Sequence, residues 1–341
     1  MTGNIGVYGG RILSRLYGNQ QVPQEVLSAG SVVYVDGTNG ADTNDGFSFD
    51  SAKATIQAGV TLAGADGIVL VVPKLITDMT GDPSSYSESV IIPATHMGLS
   101  IIGMPRGRTQ GGLPQMKVGT TTTNAILTIR AAGCLIQNIG VNGAGATGGG
   151  ILLDDDNSTK TAFGTSIIDC HLKNCKGVDV DDAKEGGAIM WSAEGNAWQV
   201  LIKRCRFYKN TGGIVLLGTS NTRPQDVTIE DCDFTGMAAS TDCDIWGTGT
   251  GSGFGSIHIN NCQFGQQPSY GANVNLYIDL TGSLNGMLSN CTFGCQTNET
   301  GGTVVTFKAA GTAAKIPTTV HIANCFGQTI DYAESGEIAI E

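Results

Sequence analysis

One short motif returns six times between residues 165 and 327 of this chain. It reads T-S-I-I-D-C-H-L around Cys170, V-L-I-K-R-C-R-F around Cys205, V-T-I-E-D-C-D-F around Cys232, I-H-I-N-N-C-Q-F around Cys262, G-M-L-S-N-C-T-F around Cys291 and V-H-I-A-N-C-F-G around Cys325. Successive cysteines are 35, 27, 30, 29 and 34 residues apart. A repeat of that period is one supersecondary unit, which cannot bury its apolar face alone and does so by stacking on its neighbours.

Counting from the cysteine as zero, position −3 is Ile167, Ile202, Ile229, Ile259, Leu288 and Ile322. Position −5 is Val200, Val227, Ile257 or Val320 in four repeats, and +2 is Leu172, Phe207, Phe234, Phe264 or Phe293 in five. The intervening −4 and −2 sites are mostly polar, which predicts strand alternation with one face buried. Position −1 is Asp or Asn in five of six repeats, predicting a turn or bend whose side chains bond from coil to coil. The same frame fits L-I-Q-N-I-G-V-N-G with Ile139 in the cysteine slot, and L-S-I-I-G-M with Met104 there. That makes about eight coils. A second strand is expected after the motif at 148–153, 186–191, 212–217, 274–280 and 302–307. The 50 glycines then mark tight turns between short strands. A leucine-rich repeat lacks its L-x-x-L-x-L pattern here, and a propeller blade would need four strands in each repeat.

The cysteines invite a disulfide or metal reading, and their placement argues against both. They recur at one register on Ile- and Val-rich strands, no C-x-x-C is present, and the four histidines do not cluster with them. They are expected as free thiols packed as small apolar side chains. Cys175, Cys243 and Cys295 fall outside the register. A net charge of −11 and scattered Lys and Arg argue against nucleic acid and membrane surfaces as partners.

Four segments are expected: an N-terminal arm at 1–30, a strand–helix–strand cap at 31–75, the solenoid at 76–329 and a tail at 330–341. The arm has no apolar secretory core, and Ile12, Leu13, Leu16 and Tyr17 give it a short apolar contact surface. In the cap, S-A-K-A-T-I-Q-A-G-V-T-L-A-G-A (51–65) spaces Ile56, Val60 and Ala63 for one helical face, with Ser51 or Asp50 as N-cap.

The series V-Y-V-D-G, D-T-N-D-G-F-S, A-K-A-T-I-Q-A-G-V, V-L-V-V-P and S-I-I-G, followed by the I-x-x-C-x-F coils, resembles the right-handed parallel β-helix proteins of the pectin-lyase-like superfamily over about residues 31–330. The resemblance implies an all-β, right-handed parallel β-helix of about eight coils with a short N-terminal capping helix. It is nonspecific for activity, because that superfamily carries lyases, glycosidases, epimerases and viral spikes. Members that cleave sugars use paired carboxylates, or an Arg base beside carboxylate-bound Ca²⁺. The acidic runs L-L-D-D-D-N (152–157) and V-D-V-D-D-A-K-E (178–185) are expected in corresponding parts of adjacent coils. Asp155, Asp181 and Glu185 are therefore the catalytic candidates, and Asp154, Asp156, Asp179 and Asp182 the candidates for Ca²⁺, the one cofactor considered. Trp191 and Trp198 are placed to stack on a sugar. D-T-N-D-G (42–46) is either a Ca²⁺ loop or an Asx-turn loop, and it lacks the length and closing Glu of an EF-hand.

These acidic runs also suit solvated turns, and no Arg-bearing lyase motif is present. The combined features resemble bacteriophage surface proteins. They imply a trimeric decoration, spike or fibre protein on the virion surface, made in the host cytoplasm and attached to other virion proteins through residues 1–30. The alternatives are a polysaccharide-degrading tailspike-type hydrolase or lyase, and a non-catalytic adhesin for host glycan.

Overall fold

A computed structural model describes residues 30–74, 84–107, 112–117, 124–143, 149–154, 162–176, 186–192, 197–217, 223–237, 243–247, 253–266, 278–295 and 319–327. Within them the chain is an all-β parallel solenoid with three sheets along its length. The first sheet stacks Val32–Val35, Ile68–Val71, Ser100–Gly103, Leu135–Gln137, Ser166–Ile168, Leu201–Lys203, Val227–Glu230, Ile257–Asn260, Gly286–Ser289 and Val320–Ala323. The second stacks Val90–Ile92, Leu127–Ile129, Ile151–Leu153, Ile189–Trp191, Gly212–Leu216, Cys243–Trp246 and Ile278–Asp279. The third runs from Tyr86–Ser87 through Gln115–Lys117, Gly140–Asn142, His171–Lys173, Arg206–Asn210, Asp233–Met237, Gln263–Gln266 and Thr292–Cys295 to Phe326–Gly327.

The expected count of eight coils does not hold. The three sheets contain ten, seven and nine described strands. Strands Val32–Val35 and Ile68–Val71, expected in a separate cap, pair in parallel within the same ladder as Ser100–Gly103. Of the second strands read from the sequence, four coincide with second-sheet strands, and 302–307 lies outside the described residues. Val90–Ile92, Leu127–Ile129 and Cys243–Trp246 belong to the same sheet and escaped the sequence reading.

The repeated motif is two strands rather than one. Positions −5 to −2 belong to the first sheet and positions +1 to +3 to the third, with a bend between them. The residue at −1 makes that bend in the left-handed conformation: φ is 56° at Asn138, 54° at Asp169, 51° at Arg204, 56° at Asp231, 52° at Asn261, 55° at Asn290 and 51° at Asn324. Asn and Asp tolerate that region better than other non-glycine residues. Their side chains also bond from turn to turn, with Asn261 Nδ2 donating to Asp231 Oδ1 at 2.8 Å and Asn290 Nδ2 to Asn260 Oδ1 at 2.9 Å. A second left-handed corner sits at position −6, at Gly98, Gly133, Gly164, Gln199 and Asp226. Two left-handed residues five positions apart thus frame four first-sheet strands, Leu135–Gln137, Ser166–Ile168, Leu201–Lys203 and Val227–Glu230.

Parallel register places like on like. Ile101, Ile136, Ile167, Ile202, Ile229, Ile259, Leu288 and Ile322 form one inward column. Met116, Val141, Leu172, Phe207, Phe234, Phe264 and Phe293 form another. The four phenylalanine rings stack nearly parallel, with centroids 4.4, 4.7 and 4.9 Å apart and interplanar angles of 4°, 8° and 7°. Glycine lets the chain pass this column closely. A Cβ on Gly213 would lie 2.9 Å from the Phe234 ring and 2.5 Å from the Asp244 carbonyl oxygen.

The cysteines between these columns are free and buried. Each thiol of the repeat lies 3.2–3.5 Å from the carbonyl two residues before it, for example Cys170 to Ile168 O at 3.3 Å and Cys291 to Ser289 O at 3.2 Å. A small apolar side chain with a weak donor therefore fills the corner and reaches a carbonyl there. Cys175 and Cys243 prove to be buried too, with their thiols on the carbonyls of Lys173 and Ile245.

The predicted helix forms over Ile56–Ala63, shorter than 51–65, and is preceded by a 3-10 turn at Phe49–Ser51. The N-cap is Thr55, whose Oγ1 accepts from Ala58 N, rather than Ser51 or Asp50; Ser48 caps the 3-10 turn. Glu88 adds a long-range cap, its carboxylate accepting from Ile56 N at 2.8 Å and Gln57 N at 2.9 Å. Burial pushes that carboxyl upward, opposed by the two N–H bonds. The buried face, Ile56, Gly59, Val60 and Ala63, packs on the first two first-sheet strands. Gln57 meanwhile behaves like a strand residue. Its amide accepts from Ile91 N at 2.7 Å and donates to Ile91 O at 3.2 Å, at the terminal strand of the second sheet.

Two stability predictions follow from this interior. Phe234→Ala removes a ring stacked on both sides, and its unfolding free energy in urea is expected to fall by about 3–5 kcal/mol. The thiols set an alkaline limit. Burial pushes Cys134 and Cys175 up to about 12, and Cys170, Cys205, Cys232 and Cys243 well above the ordinary range. Unfolded thiols ionise at about 8.5, so the neutral thiols contribute fully below that pH. Their contribution falls as pH rises toward the folded values, by roughly 1 kcal/mol per pH unit for each thiol. The urea midpoint should be flat from pH 7 to 8.5 and drop steeply above pH 9; a midpoint unchanged to pH 10.5 would contradict this.

Candidate functional site

Asp154 is the described member of the acidic candidates. It directly follows strand Ile151–Leu153, and Arg130 directly follows Leu127–Ile129, the strand paired with it in register. The two side chains therefore meet one turn apart, Arg130 Nε donating to Asp154 Oδ2 at 2.8 Å. Asp155, Asp156, Asp179, Asp181, Asp182 and Glu185 lie outside the described residues.

The expectation that the two acidic runs occupy corresponding parts of adjacent coils therefore lies outside the described residues. The described strands before them differ: Ile151–Leu153 of the second sheet precedes one run and His171–Lys173 of the third sheet precedes the other.

Trp191 is not available to a sugar. It is fully buried, donates Nε1 to Ala197 O at 2.9 Å and meets Phe254 edge-on with centroids 5.6 Å apart. Trp198 sits at the corner preceding a first-sheet strand, where its carbonyl accepts from Gly164 N at 2.8 Å. It is partly buried, and its Nε1 has no hydrogen-bond partner.

The D-T-N-D-G segment forms an Asx-turn loop. Asp42 accepts from Ala54 N and Thr55 N, both at 2.9 Å, and from Thr55 Oγ1. Asp45 accepts from Phe47 N and Ser51 Oγ, and these bonds, that from Ser51 foremost, hold its carboxyl below the usual range. The Lys53 ammonium donates to the carbonyl oxygens of Asp42, at 2.9 Å, and Asn44. A cation built into the chain thus takes the carbonyls that a Ca²⁺ loop would offer.

Other described surface charges are tied from turn to turn. Arg204 grips Asp169 bidentately at 2.8 and 2.7 Å, and that hydrogen bonding raises the guanidinium further. Lys203 pairs with Glu230, and Arg206 with Asp233 at 3.1 Å. Among the described residues, no group of three or more His, Cys, Asp or Glu side chains is gathered to hold a metal ion, and no helix is long and apolar enough to cross a membrane.

Lys53→Met is expected to leave two carbonyls without their donor and lower stability by about 1–3 kcal/mol, read as a lower urea midpoint. An unchanged midpoint would show that water replaces the ammonium at no cost.

No family model matches the chain, and no curated protein matches it. Among solved structures it is similar to a rhamnogalacturonan lyase, at 17% identity and a TM-score of 0.42, over 87% of this chain and 68% of that one. It is also similar to the GH136 lacto-N-biosidase from Eubacterium ramulus, at 11% identity and a TM-score of 0.46, over 86% of this chain and 57% of that one. A third similar structure is pectate lyase Pel9A, at 10% identity and a TM-score of 0.43, over 91% of this chain and 79% of that one. These neighbours are polysaccharide-acting enzymes, and the likeness concerns architecture, which does not carry activity with it.

Proposed function

We propose that the chain is a non-catalytic structural protein of a bacteriophage particle. In this reading it is a right-handed β-helical decoration, spike or fibre protein, trimeric on the virion surface and attached through residues 1–30. The observation that carries the proposal is the solid interior. From Val33 to Ile322 one apolar core runs through the described turns, filled by stacked Ile, Phe and Cys. A rod of that kind is a rigid spacer whose corners can present inserted segments, and stacking gives it stiffness along its axis.

The helix Ile56–Ala63 acts in this reading as the N-terminal cap, supported by the Gln57 bonds to Ile91 on the terminal described strand of the second sheet. Antibody labelling of purified particles in the electron microscope should place the protein on the surface. Light scattering should give three chains per assembly, and deletion of residues 1–30 should abolish attachment while the deleted protein still folds. A stable monomer that never joins a particle would sink the proposal.

A second reading is a polysaccharide hydrolase or lyase acting through Asp155, Asp181 and Glu185, with Ca²⁺ at Asp154, Asp156, Asp179 and Asp182. It is supported by the Arg130–Asp154 pair, which fixes the base of one acidic run. It predicts cleavage of a host glycan that Asp155→Asn or Asp181→Asn abolishes. Glycan binding without turnover would point instead to an adhesin.

A further inference from the structure

Neither the scaffold nor the proposed surface role uses the chemistry of the cysteine column. Cys170, Cys205, Cys232, Cys262, Cys291 and Cys325 occupy one position of six consecutive turns. Strands on both sides of that position are paired in register, so the six cysteines recur one above another at roughly the strand spacing of ~4.8 Å. Each lies within interaction range of the next along the whole column. All six are buried and none is in a disulfide.

We infer that this column is a binding site for soft monovalent cations, copper(I) or silver(I), held between successive sulfurs. Two metal–thiolate bonds of about 2.3 Å, the length usual for zinc, laid end to end span ~4.6 Å, which matches the strand spacing of about 4.8 Å. A linear two-coordinate cation therefore fits between one turn and the next. A thiolate sulfur does not hold two cations on opposite sides in one line, so alternate gaps fill: Cys170 with Cys205, Cys232 with Cys262, and Cys291 with Cys325. Thiolate ligands select soft cations of this kind. Zinc requires four ligands in a tetrahedron, and a straight file of single thiols offers two neighbours at each gap.

The charge also balances. Each cation displaces one thiol proton, RS–H + M⁺ → RS–M + H⁺, and takes its second bond from a lone pair of the adjacent sulfur. No electron is transferred. Each site adds one positive charge and loses one proton, so the dry interior gains no net charge, which a buried ion would otherwise make costly. The carbonyl that each S–H now faces loses only a weak donor. Cys325, at 7% exposure the most accessible of the six, marks the end from which the column can fill.

Silver nitrate titration of the full-length protein in chloride-free buffer at pH 7 tests this. The readouts are silver retained per chain after desalting, protons released, and far-ultraviolet circular dichroism. Six thiols make three such pairs, so the column should take three silver ions and release three protons with the spectrum unchanged. Cys232→Val, at a slot that an earlier turn fills with Ile139, leaves a pair and a triplet and should lose one ion. Cys262→Ala leaves a triplet and a pair and should also lose one, which keeps the test valid if one variant folds poorly. Cys175→Ala removes a buried thiol outside the column and should lose none. The inference is overturned if the column variants lose no more silver than Cys175→Ala, or if silver is retained only as the native spectrum disappears.

Discussion

Parallel in-register pairing is the constraint on which the whole molecule depends. Once one turn lies on the next with each residue opposite its counterpart, every side chain is stacked on its equivalent, and the interior becomes a set of columns. An apolar or aromatic column gains from this, as the rings of Phe207, Phe234, Phe264 and Phe293 do at 4.4–4.9 Å. A column of like charges would repel. The surface columns accordingly alternate sign where they are charged, as in Arg204 on Asp169 and Arg206 on Asp233. The same constraint explains why the cysteines recur at one register: the slot between two stacked columns returns in each turn and takes an apolar side chain, Cys in six turns and Ile139 in an earlier one.

Register needs corners that return the chain to the same place each time. Left-handed residues supply them, at −6 in five described turns and at −1 in seven. One is commonly Gly and the other commonly Asn or Asp, since these residues reach positive φ at least expense. Arg204 and Gln199 depart from that preference, and their conformation is set by the neighbouring turns. Arg204 gains the bidentate bond to Asp169 in return. At the first described turns, Glu88 and Gln57 satisfy groups of the helix and of strand Val90–Ile92 with side-chain atoms.

The parallel solenoid was legible because its signal is repeated. Any one I-x-x-C-x-F is weak evidence, but six at similar spacing define a period, and the polar −1 position correctly announced a bend. The sequence reading merged the strands on either side of that bend, since apolar positions −3 and +2 look like continued alternation. It missed Cys243–Trp246 and Leu127–Ile129 because these strands are only four and three residues long and lie outside the repeated motif. The corner at −6 was hidden because its residue changes from Gly to Gln to Asp while its backbone conformation stays the same. Trp191 was offered as a sugar platform on proximity alone, and sequence neighbours of a loop can still point into the core.

By itself, the sequence determined the class of fold, the reduced state of the repeated thiols as core filler, and the apolar face of the helix. These follow from periodicity and residue type, which are local properties. The tertiary structure decided how many strands each sheet holds, that the first two strands join the same ladder as the rest, which corner each inserted segment leaves from, and that the Lys53 ammonium fills the Asp42–Asn44 loop. Those features depend on which turn lies on which. Contacts between residues some thirty positions apart are set by the register of the stack, and register arises only when the turns have closed on one another.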